Sequence, residues 1–555
     1  MGHPARRAEK RSVIRHGPPG ALDFRETLNY VIVMNVSHDD EADARAAIAA
    51  DRNDLAATNA LALLLFARGN LAEAELHARN AIRIGPENPQ AHNLMGMILT
   101  ESNRPQTGEF HYRQVLNLTD ARDPVLLANL AWNLKSQGRM EEARALYRES
   151  RAARPDIRQT LFGFARLEEA DRRFDAAAEI LDEMEGRFPD DPNLRLTRAV
   201  LLGRMRRFDE ALALIDTMAE RDSGLGPTEL LEKGRLLDQL GRYDDAWTAF
   251  EEGKRLACER SGNVYRDEDA AREIARLGRF FVAPRLTLLP RATPRHDVPQ
   301  PIFILGFPRS GTTLVEQTLS AHPRIAAGDE LPLIHEITQI MPRMLASPLA
   351  YPQALAELWM GDHRDGLETL RDHYLQKVRQ LGVLSPGATR FTDKMPLNET
   401  HLGLIALLFP EAPLLHVLRH PLDVMVSCMS NHFTHGFFCA SALETAARHY
   451  VRVMDLVAHY RAEMSLRYLA IRYEDIVRHQ AGSVAAMLAF VGEGFDPACL
   501  TFHDNRRYAR TASYAQVTEP LYDRSVARWR HYRRQLAPVM AILTPAIESL
   551  GYDID

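Results

Sequence analysis

Residues 301–322 read PIFILGFPRSGTTLVEQTLSAH, and this stretch decides the fold of the second half of the chain. From Pro301 to Leu305 the run is continuously apolar, as a strand covered on both faces requires. It then turns through Gly306 and Gly311, in GxxxxG spacing, into an amphipathic helical pattern. The backbone N–H groups of such a loop and the helix N-terminus behind it hold an anion. An NTPase also needs a Lys after the second Gly, close to the β- and γ-phosphates. Here Thr312 and Thr313 stand at those positions, and Arg309 brings the positive charge earlier in the loop. This departure argues against ATP or GTP hydrolysis, and a P-loop kinase or NTPase is kept as the alternative reading.

Further segments continue the α/β pattern in order. FTDKMPLN is predicted to be a strand running into Lys394, with a helix over Asn398–Phe409. APLLHVLRHPLDVMVSCM predicts a strand ending at Arg419 and a helix carrying Ser427. LAIRYEDIV gives a strand and Tyr473. TASYAQVTEPLYDRSVARW brings Ser513 and Arg528 into residues 501–540, which carry eight Arg against three acids. Such a stretch attracts anions, or is a solvated helix face.

On these motifs the region from about residue 300 to 535 resembles the 3′-phosphoadenylyl-sulfate (PAPS) sulfotransferases. The resemblance implies a P-loop-like α/β domain that takes PAPS as co-substrate, needs no metal, and moves a sulfuryl group to a hydroxyl acceptor. It assigns Arg309, Ser310, Gly311, Thr312 and Thr313 to the 5′-phosphosulfate loop, and Arg419, Ser427 and Arg528 to the 3′-phosphate, with Tyr473 beside the nucleotide. Within the family the tyrosylprotein sulfotransferase branch is most similar, and AHPRIAAGDE puts Glu330 where that branch has its general base. Lys394, Arg309 and Ser513 are then the groups that stabilise the sulfonyl and bridging oxygens. In that branch an Arg follows the Glu by two residues and engages the acidic acceptor peptide; here Leu331 and Pro332 follow Glu330. Protein tyrosine, a sugar, a lipid and other hydroxyls therefore all stay open as acceptors.

Plainer readings stand beside these. Glu330 is one of several carboxylates, with Asp329 and Glu336 close by. Lys394 adjoins Asp393 and could form a surface ion pair with it, and Tyr473 could be core. His416, His420, His432 and His435 fall within twenty residues, but their spacing does not match a zinc set, and they read as structural histidines.

The first half is organised differently. Ala74, Ala143, Ala177, Ala211 and Ala246 recur at 34–35 residues or twice that plus one. Gly69, Gly138 and Gly241 stand five residues before three of them, and Pro86, Pro155 and Pro189 twelve after three. With a degenerate copy around Gly96 and Gly108, six copies run from about Leu55 to Ala257, each a helix, a turn and a helix. Tyr112, Tyr147 and Phe250 fill the next turn of the second helix. This resembles the tetratricopeptide repeat family, which implies an all-α solenoid whose groove binds a peptide or partner protein.

The domain plan is then residues 1–35 as a mostly disordered lead, 36–257 as the repeat array, 258–300 as a capping helix and proline-rich linker, and 301–555 as the transferase domain. Every charged candidate lies after residue 300, so cofactor binding is expected to need only the second half. A chain of 555 residues with 46% hydrophobic and 26% charged residues is ordinary globular material. Residues 281–555 balance 27 basic against 27 acidic side chains, so the net charge of −6 lies in the first half, and neither half has the basic excess of a nucleic-acid binder. Cys258, Cys428, Cys439 and Cys499 contain no CxxC pair, and no apolar run is long enough for a membrane span or a signal peptide. The expected location is cytoplasmic. A repeat scaffold whose second domain binds nucleotide without catalysis is the remaining alternative.

Overall fold

The computed structural model describes residues 38–102, 104–119, 121–189, 191, 193–219, 224–261, 264–361, 363–431, 433, 437–504 and 519–554. A first helix, α1 (His38–Ala50), leads into the helical hairpins α2 (Leu55–Ala67) with α3 (Leu71–Ile84), and α4 (Pro89–Glu101) with α5 (Pro105–Thr119). Next come α6 (Pro124–Ser136) with α7 (Met140–Ala153), α8 (Arg158–Ala170) with α9 (Phe174–Arg187), α10 (Leu194–Arg204) with α11 (Phe208–Ala219), and α12 (Pro227–Gln239) with α13 (Tyr243–Ser261). The described hairpins thus coincide with the six copies read from the sequence.

Local chemistry explains each hairpin. Asp54, Asn70 and Asn88 cap helices α2, α3 and α4 by accepting a hydrogen bond from a backbone N–H of the first turn. Between the two helices one residue takes a left-handed backbone: Gly69, Gly138 and Gly241, and, at the same step of the period, Arg172 (φ 60°) and Arg206 (φ 63°). Glycine makes that turn without steric cost, whereas a residue with a side chain costs roughly 1–2 kcal/mol. Small residues let the helices close up: a Cβ at Gly96 would lie 2.8 Å from the Tyr112 ring, and Gly163 and Gly234 make the same room for Tyr147 and Phe250.

The second half is built on five parallel strands, β1 (Gln300–Leu305), β2 (Ile325–Ala326), β3 (Arg390–Asp393), β4 (Leu414–Leu418) and β5 (Tyr468–Arg472), in the order β2-β3-β1-β4-β5. The period of two along β1 sends Ile302 and Ile304 into one core, with α15 (Thr312–Leu319) among its walls, and Phe303 and Leu305 into the opposite core. Around this second core stand α16 (Leu333–Met344), α17 (Gly366–Gln380) and α18 (Leu402–Leu408). The helix expected over Asn398–Phe409 starts later, because Pro396–His401 is a 3-10 turn. Beyond β4 come α19 (Pro421–Met429) and α20 (Leu443–Glu463). After β5 follow α21 (Tyr473–Arg478) and α22 (Gln480–Val491), and α23 (Arg533–Ser549) ends the fold.

The expected linker is corrected by the structure. Helix α13 continues to Ser261, and α14 (Asp267–Phe280) packs on α20, where Asp267 accepts two hydrogen bonds from Arg452 at 2.5 and 2.9 Å. Leu277, Phe280, Phe281, Leu286, Leu289 and Ala292 are buried in the same core as Phe303. Prolines punctuate this stretch, but the large apolar residues between them must be buried, and the sheet domain is what buries them.

Nor are the two halves independent. Ala246, Trp247, Ala249 and Phe250 of α13 share one apolar cluster with Met425 and Met429 of α19, Trp529, Tyr532 and Leu536. The rings of Trp247 and Tyr532 lie 5.6 Å apart, and His531 stacks on Tyr243 at 4.3 Å. The array then curls back so that Gln106, at the start of α5, neighbours Gly382, just beyond α17. Residues of the array, Arg104, Trp132 and Arg204 among them, thus share one cavity with Arg309 and Arg419 at the carboxyl ends of β1 and β4.

Candidate active site

Four strands deliver the site at their carboxyl ends, where open α/β sheets bind ligands. β1 runs into Gly306, β3 into Lys394, β4 into Arg419, and β5 into Tyr473. The loop after β1 is a tight cradle. Gly306 has φ 148°, and a Cβ there would meet the Val417 carbonyl oxygen at 2.6 Å. Arg309 takes φ 77° and Gly311 φ 109° before α15 begins. Ser310 N–H donates to the Phe307 carbonyl at 3.0 Å, while the Ser310 Oγ is buried with no hydrogen-bond partner among the described residues.

A cluster of cations closes on this loop. Arg309 Nε donates to Ser427 Oγ at 3.0 Å, and Arg419 Nη1 donates to the Arg309 carbonyl at 3.1 Å. Arg419 Nη2 donates to the Ser525 carbonyl at 2.6 Å, and its guanidinium lies over the Tyr473 ring, 5.0 Å from the centroid. Arg419 Nε is buried and, like Ser310 Oγ, has no hydrogen-bond partner among the described residues. Burial, then the adjacent Arg419 charge, with Arg528 adding to it, pull the Arg309 guanidinium down to about 10. Two buried donor groups awaiting a partner beside crowded arginines fit an anionic group with several acceptor oxygens.

The second feature of the site is an ion pair. Lys394 Nζ, fully buried, donates to Glu330 Oε1 at 2.8 Å, and the Glu330 carboxylate is 42% exposed, open to an incoming group. Burial works against the Lys394 charge, but Glu330, Glu316 and Asp329 outweigh it and its pKa is raised. Asp393 is not the partner of Lys394. It accepts from Tyr374 Oη at 2.6 Å and Asn398 Nδ2 at 3.2 Å, and burial pushes its carboxyl up to about 7.

A network that the sequence reading missed sets this pair. Glu316, wholly buried on α15, accepts from Thr392 Oγ1 at 2.7 Å and from the Asp329 N–H at 3.0 Å. Thr392 Oγ1 also accepts from the Gly328 N–H at 3.0 Å, and any Cβ at Gly328 would collide with the Thr392 carbonyl. Asp329 is thereby held at φ 61°, its carbonyl accepting from the Lys394 N–H at 2.9 Å. The available signal was a lone Glu on a helix whose other seven residues are neutral.

Of the residues singled out from sequence, Arg309, Gly311, Thr312, Thr313, Glu330, Arg419, Ser427, Tyr473 and Arg528 all line one cavity, while Ser310 and Lys394 are buried beside lining residues, Ser310 within the loop and Lys394 bonded to Glu330. Arg528 is not turned to the loop alone: its Nε and Nη2 reach Asp238 Oδ1 of α12 at 3.0 and 2.8 Å. Ser513 lies outside the described residues, as do His432 and His435. His416 is buried between Tyr468 Oη at 2.5 Å and Glu399 Oε1 at 2.8 Å, and His420 meets the Asp553 carbonyl at 2.8 Å. Among the described residues no group of three His, Cys, Asp or Glu could hold a metal ion. No described helix is long and apolar enough to cross a membrane.

The cavity measures about 2240 Å³ and is walled on one side by the loop, Glu330 and Arg419, and on the other by the repeats, through Arg104, Trp132, Arg166, Arg204 and Arg235 among others. Sites for small ligands typically measure about 300–1,000 Å³. This space therefore exceeds what a nucleotide needs.

Comparison with known proteins follows the same division. Residues 301–497 match the model of the sulfotransferase family, and residues 40–89, 129–192 and 169–224 match tetratricopeptide repeat models. The chain carries a sulfotransferase domain behind tetratricopeptide repeats. Protein-tyrosine sulfotransferase 1 of Danio rerio is 25% identical over 262 residues, covering 45% of this chain and 72% of that protein. An uncharacterized protein of Aquifex aeolicus (strain VF5) is 31% identical over 264 residues, 46% of this chain, and the match spans only 34% of that protein's length. Among solved structures, the sulfotransferase domain of the Synechococcus PCC 7002 olefin synthase is 24% identical, covering 48% of this chain and 99% of that one, with a TM-score of 0.33. A tetratricopeptide repeat protein from Parabacteroides merdae ATCC 43184 is 17% identical, covering 43% and 99%, with a TM-score of 0.35.

Proposed function

We propose that the protein transfers a sulfuryl group from PAPS to a hydroxyl on a polypeptide held between the repeat array and the sulfotransferase domain. The observation that carries this reading is the pair of buried donors, Ser310 Oγ and Arg419 Nε, without a hydrogen-bond partner among the described residues, at a phosphate-type loop that lacks the NTPase lysine. When bound, PAPS supplies the sulfuryl group and an adenosine 3′,5′-bisphosphate leaving group. The chain does the rest. Arg309 with the loop N–H groups binds the 5′ end, and Arg419, Ser427 and Arg528 bind the 3′-phosphate that sets PAPS apart from ATP. Glu330, half exposed beside the loop, accepts the proton of the acceptor hydroxyl. The Lys394 ammonium, 2.8 Å from Glu330, stabilises negative charge that grows at the reacting oxygens. The repeat wall holds the acceptor chain and keeps bulk water from the cavity. A polypeptide acceptor follows from the size of that cavity and from its wall of repeats; Leu331 and Pro332 after Glu330 leave an acidic flank unspecified.

The test incubates the full chain with radiolabelled PAPS and protein from the producing cell, and measures nucleotide binding by calorimetry. Label should appear in the protein fraction, and 3′,5′-adenosine bisphosphate should bind while ATP does not. Hydrolysis of ATP would establish the NTPase reading instead. Bisphosphate binding without transfer to any acceptor fraction would support the non-catalytic scaffold.

A further inference from the structure

The sixth repeat hairpin lines the cavity with, among others, Asp238. Asp238, in the last turn of α12, is 8% exposed, and its Oδ1 accepts from Arg528 Nε at 3.0 Å, from Arg528 Nη2 at 2.8 Å and from Tyr532 Oη at 2.5 Å. The backbone on both sides of Arg528 is pinned independently. Asp423 of α19, the helix that carries Ser427, accepts from the Ala527 N–H and the Trp529 N–H, each at 2.8 Å, with Ala527 held at φ 56°. The sulfotransferase domain therefore fixes where Arg528 starts, and the repeat array fixes where its guanidinium ends. Arg528, Arg309, Arg419, Ser427 and Asp238 all line the same cavity.

We infer that Asp238 of the repeat array is a positioning residue for the nucleotide site, aiming Arg528 at the anion-binding cluster of Arg309, Arg419 and Ser427. The inference rests on the reading of that cluster as the 3′-phosphate site. Three guanidiniums in one cavity repel one another before the anion arrives, and an unanchored Arg would turn to solvent. A carboxylate behind Arg528 offsets that repulsion and removes the side-chain freedom that binding would otherwise have to quench. Asp238 engages Nε and Nη2, leaving Nη1 for another partner. One consequence is that the nucleotide site is incomplete without the repeats.

The test uses the full chain, with Asp238→Ala and the near-isosteric Asp238→Asn, and titrates 3′,5′-adenosine bisphosphate and 5′-AMP by calorimetry beside thermal unfolding. Both substitutions should weaken the bisphosphate about tenfold, as expected for a displaced charged hydrogen bond, with AMP affinity changed less than about twofold. Asp238→Glu should recover part of the loss. A lower Tm with the wild-type preference for bisphosphate intact would show a purely structural bridge and overturn the inference. Tighter bisphosphate binding would also overturn it, since Asp238 would then be competing for Arg528. If Asp238→Ala fails to fold, Asp238→Asn decides on the same criteria. A wild-type protein that binds both nucleotides equally would instead remove the 3′-phosphate reading itself, and this inference with it.

Discussion

Arg144 in the repeat array and Arg309 in the sulfotransferase loop are both withdrawn from water, and their surroundings are opposite. Arg144 is 1% exposed, and its Nε meets Glu168 at 2.7 Å, its Nη1 meets Glu141 at 2.6 Å, and its Nη2 bonds to Asp171. Burial opposes its charge, but Glu168, Glu141 and Asp171 together outweigh burial and hold its pKa above the ordinary value. Around Arg309 burial leads and the Arg419 charge follows, and its pKa is lowered to about 10. A buried cation answered by carboxylates is finished as structure, because the protein itself has neutralised it. Guanidiniums crowded together, as Arg309 and Arg419 are, repel one another, and an arriving anion relieves that repulsion. Arg144 thus helps to hold its hairpins together, whereas under the proposed function Arg309 and Arg419 serve a ligand.

The largest effect is expected from cutting the two regions apart. A fragment of residues 285–555 loses Trp247, Phe250 and the rest of α13 from the shared core, and each such side chain contributes about 1.5–3 kcal/mol. Against a typical total of about 5–15 kcal/mol, the fragment should show no cooperative unfolding transition and no bisphosphate binding. A fragment of residues 224–555, which keeps the last hairpin, should fold and bind the nucleotide. If residues 285–555 alone bound bisphosphate like the full chain, the regions would be separable after all, as the sequence by itself indicated.

Next in size is Glu330→Gln, expected to lower turnover by about 10²–10⁴-fold while leaving bisphosphate affinity nearly unchanged. More than a tenth of wild-type turnover, with chemistry rate-limiting, would exclude Glu330 as the base. The two arginine environments are then compared directly. Glu168→Gln breaks the buried pair of Arg144 and should cost about 3 kcal/mol of stability in thermal unfolding, without altering nucleotide affinity. Arg419→Ala should weaken bisphosphate binding by about 1.5–3 kcal/mol and AMP binding far less. Equal losses for both nucleotides, or a nucleotide effect from Glu168→Gln, would erase the distinction between structural and ligand-directed arginines.

The smallest effect concerns acid. Burial raises the Asp393 carboxyl to about 7, so between about pH 4 and 7 the folded chain binds more protons there than the unfolded chain. This group therefore favours the fold increasingly as pH falls through that window. Relative to Asp393→Asn, wild type should gain stability as the pH falls from 8 to 5. A Tm difference between the two that does not change with pH would show that Asp393 stays ionised, and that its bonds with Tyr374 and Asn398 set its charge more than burial does.

Much of the molecule is legible in the sequence alone. The 34-residue step exposes six hairpins because each depends on contacts within its own copy, and even Arg172 and Arg206 keep the turn step where glycine is lost. The loop after β1 and the strand ends at Lys394 and Arg419 were equally readable, because a strand, a turn and a helix start are written in neighbouring residues. What remained hidden depends on contacts between distant segments. Glu330 meets Lys394 across 64 positions, and Glu316 meets Thr392 across 76. Nothing in a helix-terminal Asp238 distinguishes it from other acids of the array until the chain folds back and sets it against Arg528, 290 residues away. The sequence by itself determined the two architectures and the phosphate-type loop, since local periodicity and turn chemistry suffice for these. Only the tertiary structure decided that the last hairpin is part of the sulfotransferase core and that the repeats wall the site, because which surfaces meet depends on apolar areas that are complementary in space and separated along the chain.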